Sequence, residues 1–250
     1  MKDTKIEWAH HTFNPWWGCE KVSPACAHCY AETFSKRTGH KVWGKDSERR
    51  FFGDKHWFEP RKWNQAAADF GQRFRVFCAS MADVFEERDD LEPHRERLFN
   101  LIAETKNLDW LILTKRPEFM LDWIGGTSGA GLFQLEPGQA LDNVWVGTTA
   151  EDQQRWDERL PILLSIPASI RFVSAEPLLG PIDMGSHCPD WLIVGGESGP
   201  GARPMDPEWA RSLRDQSDSR NAFFFKQWGG VRKNKPGREL DGQTWSQLPR

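Results

Sequence analysis

The chain alternates between short apolar runs and longer amphipathic stretches. Six runs contain a core of about four consecutive apolar residues, which is typical of strands buried on both faces of a sheet. They cover residues 75–80, 109–114, 143–148, 170–175, 190–195 and 222–226. A further strand is expected near residues 12–14, so the pattern predicts six or seven strands.

Helical stretches lie between these runs. Residues 91–105 and 151–165 place apolar side chains on one face, and 207–217 begins with Asp206 as a helix N-cap and Pro207 in the first turn. The fourth and fifth runs start only 20 residues apart, so a loop is expected between them. The alternation predicts an α/β fold, a partial (β/α) barrel of mainly parallel strands.

Composition narrows the class of protein. The 250 residues are expected to form one domain, with a basic, aromatic insertion at about 36–63 and a surface tail at about 231–250. Charged residues make up 28% of the chain, and no run approaches the roughly 18 apolar residues that span a bilayer. The N-terminus also lacks the apolar segment of a secretory signal. We therefore expect a cytoplasmic protein with no membrane partner.

Polar residues follow each apolar run. In an α/β barrel the catalytic residues lie at these carboxyl ends of the strands. Candidate catalytic residues at these positions are Lys115, Glu176, Glu197 and Lys226. Candidate cofactor-binding residues are Ser80, Asp83, Thr148, Ser174, Gly195 and Gly196. Paired carboxylates suit general acid–base catalysis, and adjacent glycines let a ligand approach the backbone. The alternative is that strand ends simply reach solvent and that the carboxylates form salt bridges.

Three of the five cysteines form the strongest chemical signal. Cys19, Cys26 and Cys29 have the spacing C-x6-C-x2-C, and three thiolates on one loop suit a soft metal or an iron–sulfur cluster. A structural zinc site needs a fourth ligand, for which His28 and His40 are candidates. Three ligands alone suit a [4Fe-4S] cluster with one open iron. Closed zinc and unligated thiols remain the alternatives.

The cysteine loop, placed after the first strand of a partial barrel, resembles the radical SAM superfamily. Nearly the whole chain also resembles a phage- and prophage-associated family of three-cysteine-motif proteins. The segments that carry this resemblance are 17–19, 26–32, 113–117, 174–180, 195–199 and 225–229. The superfamily spacing is C-x3-C-x2-C, so the first gap here is three residues longer. The superfamily's Gly-Gly-Glu follows the second strand, where this chain has Ser80 and Asp83 instead.

The resemblance implies a mechanism and its cofactors. The three cysteines would ligate a [4Fe-4S] cluster whose fourth iron binds S-adenosylmethionine, and reductive cleavage would give a 5′-deoxyadenosyl radical that abstracts a substrate hydrogen. An electron-donor protein would supply the electron. Tyr30, the single tyrosine, adjoins Cys29 and is the aromatic candidate beside the cofactor.

The insertion suggests a nucleic-acid ligand, and the resemblance to a phage-associated family implies a nucleotide or nucleic-acid substrate in phage-related modification or repair. In that role the insertion's cations would steer phosphates, and its aromatic residues would stack on bases. The alternative is that the insertion is an exposed amphipathic face whose aromatic residues anchor a loop to the barrel. Those aromatic residues are Trp43, Phe51, Phe52, Trp57 and Trp63, and Lys233, Lys235 and Arg238 in the tail are expected to extend the basic groove. The alternative readings of the chain are a non-catalytic zinc-binding nucleic-acid adaptor and a non-redox α/β hydrolase using Asp83, Glu176 and Glu197.

Overall fold

The computed structural model describes residues 4–124, 142–217, 219–231 and 237–249. Seven strands form one parallel sheet in sequential order, curved into a half-barrel, which confirms the predicted fold class. The strands are β1 (His11–Thr12), β2 (Phe74–Cys78), β3 (Leu108–Thr114), β4 (Val144–Thr149), β5 (Ile170–Ala175), β6 (Trp191–Gly195) and β7 (Ala222–Gln227). Each predicted run thus lies within a residue or two of an observed strand.

Six helices connect the strands within the described residues. They are α1 (Tyr30–Arg37), α2 (Asp54–Phe70), α3 (Glu92–Glu104), α4 (Pro117–Ile124), α5 (Gln153–Ser165) and α6 (Pro207–Ser217). Asp152 begins α5 as a true N-cap, because its side chain accepts a hydrogen bond from the Arg155 backbone N–H at 2.9 Å. Between β5 and β6 the described chain has no helix, as the short spacing predicted.

The two faces of the sheet bury different side chains. Alternate residues such as Val146 and Val173 pack against the helices in the main core. The residues between them face the concave side, where an aromatic cluster fills the half-barrel. Trp8 contacts this cluster edge-on, with ring centroids 4.8 Å from Phe77 and 5.7 Å from Trp191. The concave side therefore has an apolar floor.

Gly147 allows the floor to close. A Cβ at this position would lie 2.4 Å from the ring of Phe172 on the neighbouring strand. Real Cβ atoms do not approach carbon this closely, so the absent side chain makes room for the ring. Trp110, Trp145 and Trp191 are at most 8% exposed, which confirms that the strand tryptophans serve packing.

Two segments predicted as peripheral are partly built into the core. The second half of the predicted insertion belongs to α2, the crossover helix that precedes β2, and it buries Trp57 and Trp63. In the predicted surface tail, strands Glu239–Leu240 and Gln243–Thr244 pair as a hairpin. Leu240 of that hairpin is fully buried, because the hairpin packs beside β7. Lys233 and Lys235 lie outside the described residues.

Candidate active site

The cysteine loop follows β1 and lies at the carboxyl edge of the sheet. Gly18 forms a bridge with Ala82, just beyond β2, and Cys19 forms one with Trp43. Gly18 has φ of +120°, and a Cβ there would lie 2.3 Å from the Val42 carbonyl oxygen, so this position requires glycine. The loop continues through a 3₁₀ turn, Pro24–Cys26, and Cys29 directly precedes α1.

All three loop cysteines are free thiols. Burial and the nearby Asp83 carboxylate raise the pKa of the Cys19 thiol to about 12. The Arg116 guanidinium, with Nη1 4.0 Å from Cys19 Sγ, opposes that shift in pKa but does not overcome it. The Cys19 thiol is therefore protonated at neutral pH.

The donor chemistry of the loop fits an iron–sulfur cluster, since such clusters take cysteine thiolates as ligands. No three or more His, Cys, Asp or Glu side chains within the described ranges already converge as a group that could hold a metal ion. Cys78 is fully buried in β2 within the main core, as its position on an apolar run predicted. The argument that the loop fits an iron–sulfur cluster therefore rests on its three cysteine sulfurs and on its position at the strand ends.

Tyr30 and Ser80 do come together beside the loop. The Tyr30 hydroxyl donates to the Ser80 carbonyl oxygen at 2.9 Å, although the tyrosine side chain is largely exposed. Asn14 links this point to β1, because its side-chain oxygen accepts from the Met81 backbone N–H at 2.7 Å. The end of β2 is thus tied both to β1 and to the residue after Cys29.

Asp83, a cofactor-binding candidate, has its hydrogen-bonding capacity committed to neighbouring residues. Its carboxylate accepts from the Thr114 hydroxyl at 2.6 Å, from the Lys115 backbone N–H at 3.0 Å and from Arg116 Nη1 at 2.9 Å. Asp83 therefore orients the turn after β3 and the guanidinium beside Cys19. The Lys115 side chain is half-buried at this turn.

Four other candidates meet on the concave side. Lys226 Nζ lies 2.7 Å from Glu176 Oε2, and the Ser174 hydroxyl donates to Glu176 Oε1 at 3.3 Å. A Cβ on Gly195 would lie 2.9 Å from Glu176 Oε2, so the missing side chain makes room for that carboxylate. These residues form a polar rim above the apolar floor, with a cation and an anion already paired.

Glu197, a candidate catalytic residue, lies in an ion pair, which is the alternative that the sequence left open for it. It pairs with Arg203, and its Oε2 lies 2.9 Å from His28 Nδ1. Burial alone would raise its pKa, but the hydrogen bonds from Arg203 and His28 outweigh burial and lower the pKa to about 2. Glu197 is therefore ionised throughout the physiological pH range and holds partners in place.

Gly196 makes room for the chain's own backbone. A Cβ there would lie 2.0 Å from the Trp228 carbonyl oxygen. The backbone N–H of Gly196 donates to the Gln227 carbonyl oxygen at 2.9 Å, so the chain after β6 lies directly against the end of β7. The approach of the chain at Trp228 therefore accounts for the glycine at this position, and the contact of Gly196 with a ligand stays a prediction.

Thr148 lies on the opposite face of the sheet from the one its predicted role requires. It shares the helix-facing side of β4 with Val144 and Val146, and its hydroxyl donates to the Thr114 carbonyl oxygen at 3.0 Å. Thr149, the next polar residue at this strand end, is on the concave side with Trp145 and is 1% exposed. Within the described ranges its hydroxyl has no hydrogen-bond partner.

The basic, aromatic segment at about 36–63 does not present all of its aromatic residues for stacking on bases. Trp57 and Trp63 are 1% and 4% exposed, so they cannot stack on bases. The Arg50 guanidinium lies over the rings of Trp17 and Phe52, 4.6 and 5.2 Å from their centroids. Phe51 remains exposed on one side, with its ring stacked on His94 at 4.0 Å.

Two further basic residues predicted to form the groove are bound within the protein. Arg49 is buried against Glu86. Arg238 of the tail pairs with Glu7 and lies over Phe224. Neither guanidinium is free to meet a phosphate. No helix in the described part of the chain is long and apolar enough to cross a membrane.

A family model described as a protein of unknown function, DUF5131, matches residues 3–249. The chain belongs to the DUF5131 family. No curated protein matches the sequence.

Solved structures similar to this DUF5131 chain are of spore photoproduct lyase, a radical SAM enzyme. A double mutant of that enzyme with bound AdoMet and dinucleoside spore photoproduct matches at a TM-score of 0.53 and 13% identity, covering 91% of this chain. A tyrosine-to-phenylalanine mutant and a cysteine-to-serine mutant match at TM-scores of 0.51 and 0.50, with 12% and 13% identity over 87% and 90% of this chain. The chain spans 59%, 64% and 58% of these three structures respectively. The similarity concerns the fold.

Proposed function

We propose that this protein is a radical SAM enzyme that acts on a nucleotide or nucleic acid. The observation that carries the proposal is the placement of the three-cysteine loop at the carboxyl edge of a seven-stranded half-barrel. In α/β barrels this edge carries the chemistry. The nucleic-acid part is supported by the structural neighbour, which was solved with a dinucleoside photoproduct.

The residues of the chain have separate roles under this proposal. Cys19, Cys26 and Cys29 would hold a [4Fe-4S] cluster, and Arg116 would stabilise the Cys19 thiolate once its proton is lost. When bound, the cluster and S-adenosylmethionine supply reductive generation of a 5′-deoxyadenosyl radical. The aromatic floor would exclude water beneath the ligands. The Lys226–Glu176 pair and Lys115 would contact the substrate or its phosphates.

The alternatives gain no comparable support. All three carboxylates of the hydrolase reading are paired, Asp83 with Arg116, Glu176 with Lys226 and Glu197 with Arg203. Neither candidate fourth ligand for zinc is independent, because His28 contacts Glu197 and His40 contacts Arg50. The electron donor, the cytoplasmic location and the phage association stay predictions.

The direct test is anaerobic purification followed by measurement of iron, sulfide and zinc. We expect about four irons per chain, a brown colour and formation of 5′-deoxyadenosine from S-adenosylmethionine after reduction. One zinc per chain under iron-replete expression would contradict the proposal. Incubation with damaged or modified oligonucleotides then tests the substrate class separately.

Adjacent threonines on β4 allow a matched test of the concave face. Replacing Thr149 by valine removes a buried hydroxyl that has no partner in the described ranges, so we expect no loss of folding stability. We expect the affinity of the reconstituted protein for S-adenosylmethionine to fall by about tenfold, which is ~1.4 kcal/mol. Calorimetric titration and urea unfolding measure the two effects.

Thr148→Val should behave in the opposite way. It removes the hydrogen bond to the Thr114 carbonyl oxygen and should cost about 1 kcal/mol of stability, while leaving ligand affinity unchanged. Equal ligand affinities in the two variants would refute the role of Thr149.

A further inference from the structure

Two carboxylates at the ends of β4 and β6 reach into the cysteine loop. The first is Glu151, which is fully buried two residues beyond β4. Its Oε1 accepts a hydrogen bond from the Ala25 backbone N–H at 3.1 Å, and its Oε2 lies 3.2 Å from Arg159 Nη1. Burial would raise the pKa of this carboxylate, but the side chain of Ser23, the Ala25 N–H and Arg159 together lower it.

The second carboxylate is Glu197, two residues beyond β6. Besides contacting His28 it accepts from Arg203 Nε at 2.8 Å, and it pairs with the same guanidinium through Nη2. Arg203 Nη2 in turn donates to the Pro24 carbonyl oxygen at 3.1 Å. The Glu197–Arg203 pair therefore holds the loop both before Cys26, at Pro24, and after it, at His28.

The residues held in this way lie in the long part of the motif. Six residues separate Cys19 from Cys26, and Ser23, Pro24 and Ala25 are the last three of them. A longer segment loses more conformational entropy when it is ordered, and charge-assisted hydrogen bonds can offset that loss. The contacts thus fall just before Cys26, where the long gap ends.

We propose that Glu151 and Glu197 are positioning residues that fasten the cysteine loop to the strand ends and hold Cys26 in place before any metal binds. The contacts are made by the chain's own residues, so we expect the positioning to be present in the metal-free protein. Only the identity of the group that the loop holds rests on the proposed function. Glu197, despite its Gly-Gly-Glu setting, acts here on the protein's own loop.

The test uses the full-length, reduced, metal-free protein and measures alkylation of Cys26 and Cys29 by iodoacetamide with site-resolved mass spectrometry. Glu197→Gln keeps the shape of the side chain but removes its charge. We expect Cys26 to react about five to ten times faster in this variant, because the loop opens more often. Glu208→Gln is the matched control, since Glu208 is exposed and pairs with Arg211 on α6; its rates should equal those of the unmodified protein.

Variants of two further residues, Arg203 and His28, keep the test decisive if Glu197→Gln does not fold. Arg203 is partly exposed, and Arg203→Lys keeps the charge but loses the two-pronged contact with Glu197 and the bond to Pro24. His28→Ala should increase Cys26 labelling, and His28→Gln, which keeps a side-chain donor, should restore part of the protection. Unchanged labelling in both folded Arg203→Lys and folded Glu197→Gln proteins would overturn the proposal.

Iron binding provides a second measurement. After reconstitution, we expect Glu197→Gln to lose iron to a chelator several times faster than the control and to show a broadened electron paramagnetic resonance signal in the reduced state. If the unmodified protein binds no iron, the proposed function fails, yet the labelling experiment still decides the positioning role of Glu197. If iron binds and labelling does not change, only the positioning role fails.

Discussion

Replacing Cys26 by alanine is expected to remove iron binding while leaving the protein folded. The only hydrogen-bonding contact that the Cys26 thiol makes in the described chain is with the Ser23 hydroxyl, 3.8 Å away, and the residue is half-buried. Its loss therefore leaves no large cavity and no buried unpaired group. A cluster deprived of one of three ligands should not survive, so iron should fall from about four to below about one per chain.

Cys188→Ala is the matched control for this experiment. Cys188 is also a half-buried free thiol, but it lies beyond the loop and packs at the edge of the main core. This variant should keep its iron, its visible spectrum and its production of 5′-deoxyadenosine. Equal iron content in the two variants would show that the loop does not hold the metal. Aggregation of Cys26→Ala alone would assign the loop a structural role.

Replacing Trp191 by alanine is expected to destabilise the protein by about 3–5 kcal/mol. Trp191 is fully buried at the centre of the concave floor. Its ring lies 5.7 Å from that of Trp8, 5.8 Å from Phe172 and 6.1 Å from Phe224, measured between centroids. An alanine would leave a cavity that the rings on neighbouring strands and the N-terminal segment cannot all move to fill. Urea unfolding measures the loss as a lower midpoint.

Trp191→Phe separates packing from polarity at the same position. Within the described ranges the indole N–H of Trp191 is buried without a hydrogen-bond partner. Phenylalanine removes this unpaired donor and keeps most of the aromatic contact, so its cost should be well below that of alanine. If both variants unfold at the same urea concentration, the stability of the floor does not depend on an aromatic ring at this position.

The strands were predictable because their signal is local. Each run of apolar residues is buried on both faces, which distinguishes it from its polar surroundings without knowledge of any partner. β5 has the predicted bounds, and β2 ends at Cys78, two residues early, because Asn14 binds the Ser80 hydroxyl and the Met81 N–H instead. α2 was missed because its basic and aromatic composition resembles that of a nucleic-acid-binding segment.

Which face of the sheet each strand residue lies on was harder to predict, because the strands are buried on both sides. A strand buried on both sides shows no alternation between polar and apolar residues, so the sequence does not say which of Thr148 and Thr149 faces the ligand side. Only the packing of Trp145 against the concave cluster and of Val146 against the helices decides it. The available signal was Trp145. Thr149 lies four residues after it, and this even spacing places both side chains on the same face of the strand.

By itself, the sequence determined the parallel half-barrel, the three-cysteine loop at its carboxyl edge and the presence of polar groups at the strand ends. Only the tertiary structure decided what those groups bind. Glu151 meets Ala25 across 126 positions of the chain, and Glu197 meets His28 across 169. Apolar burial depends on the local pattern, whereas the partner of a carboxylate depends on which distant side chains the fold brings within hydrogen-bonding distance.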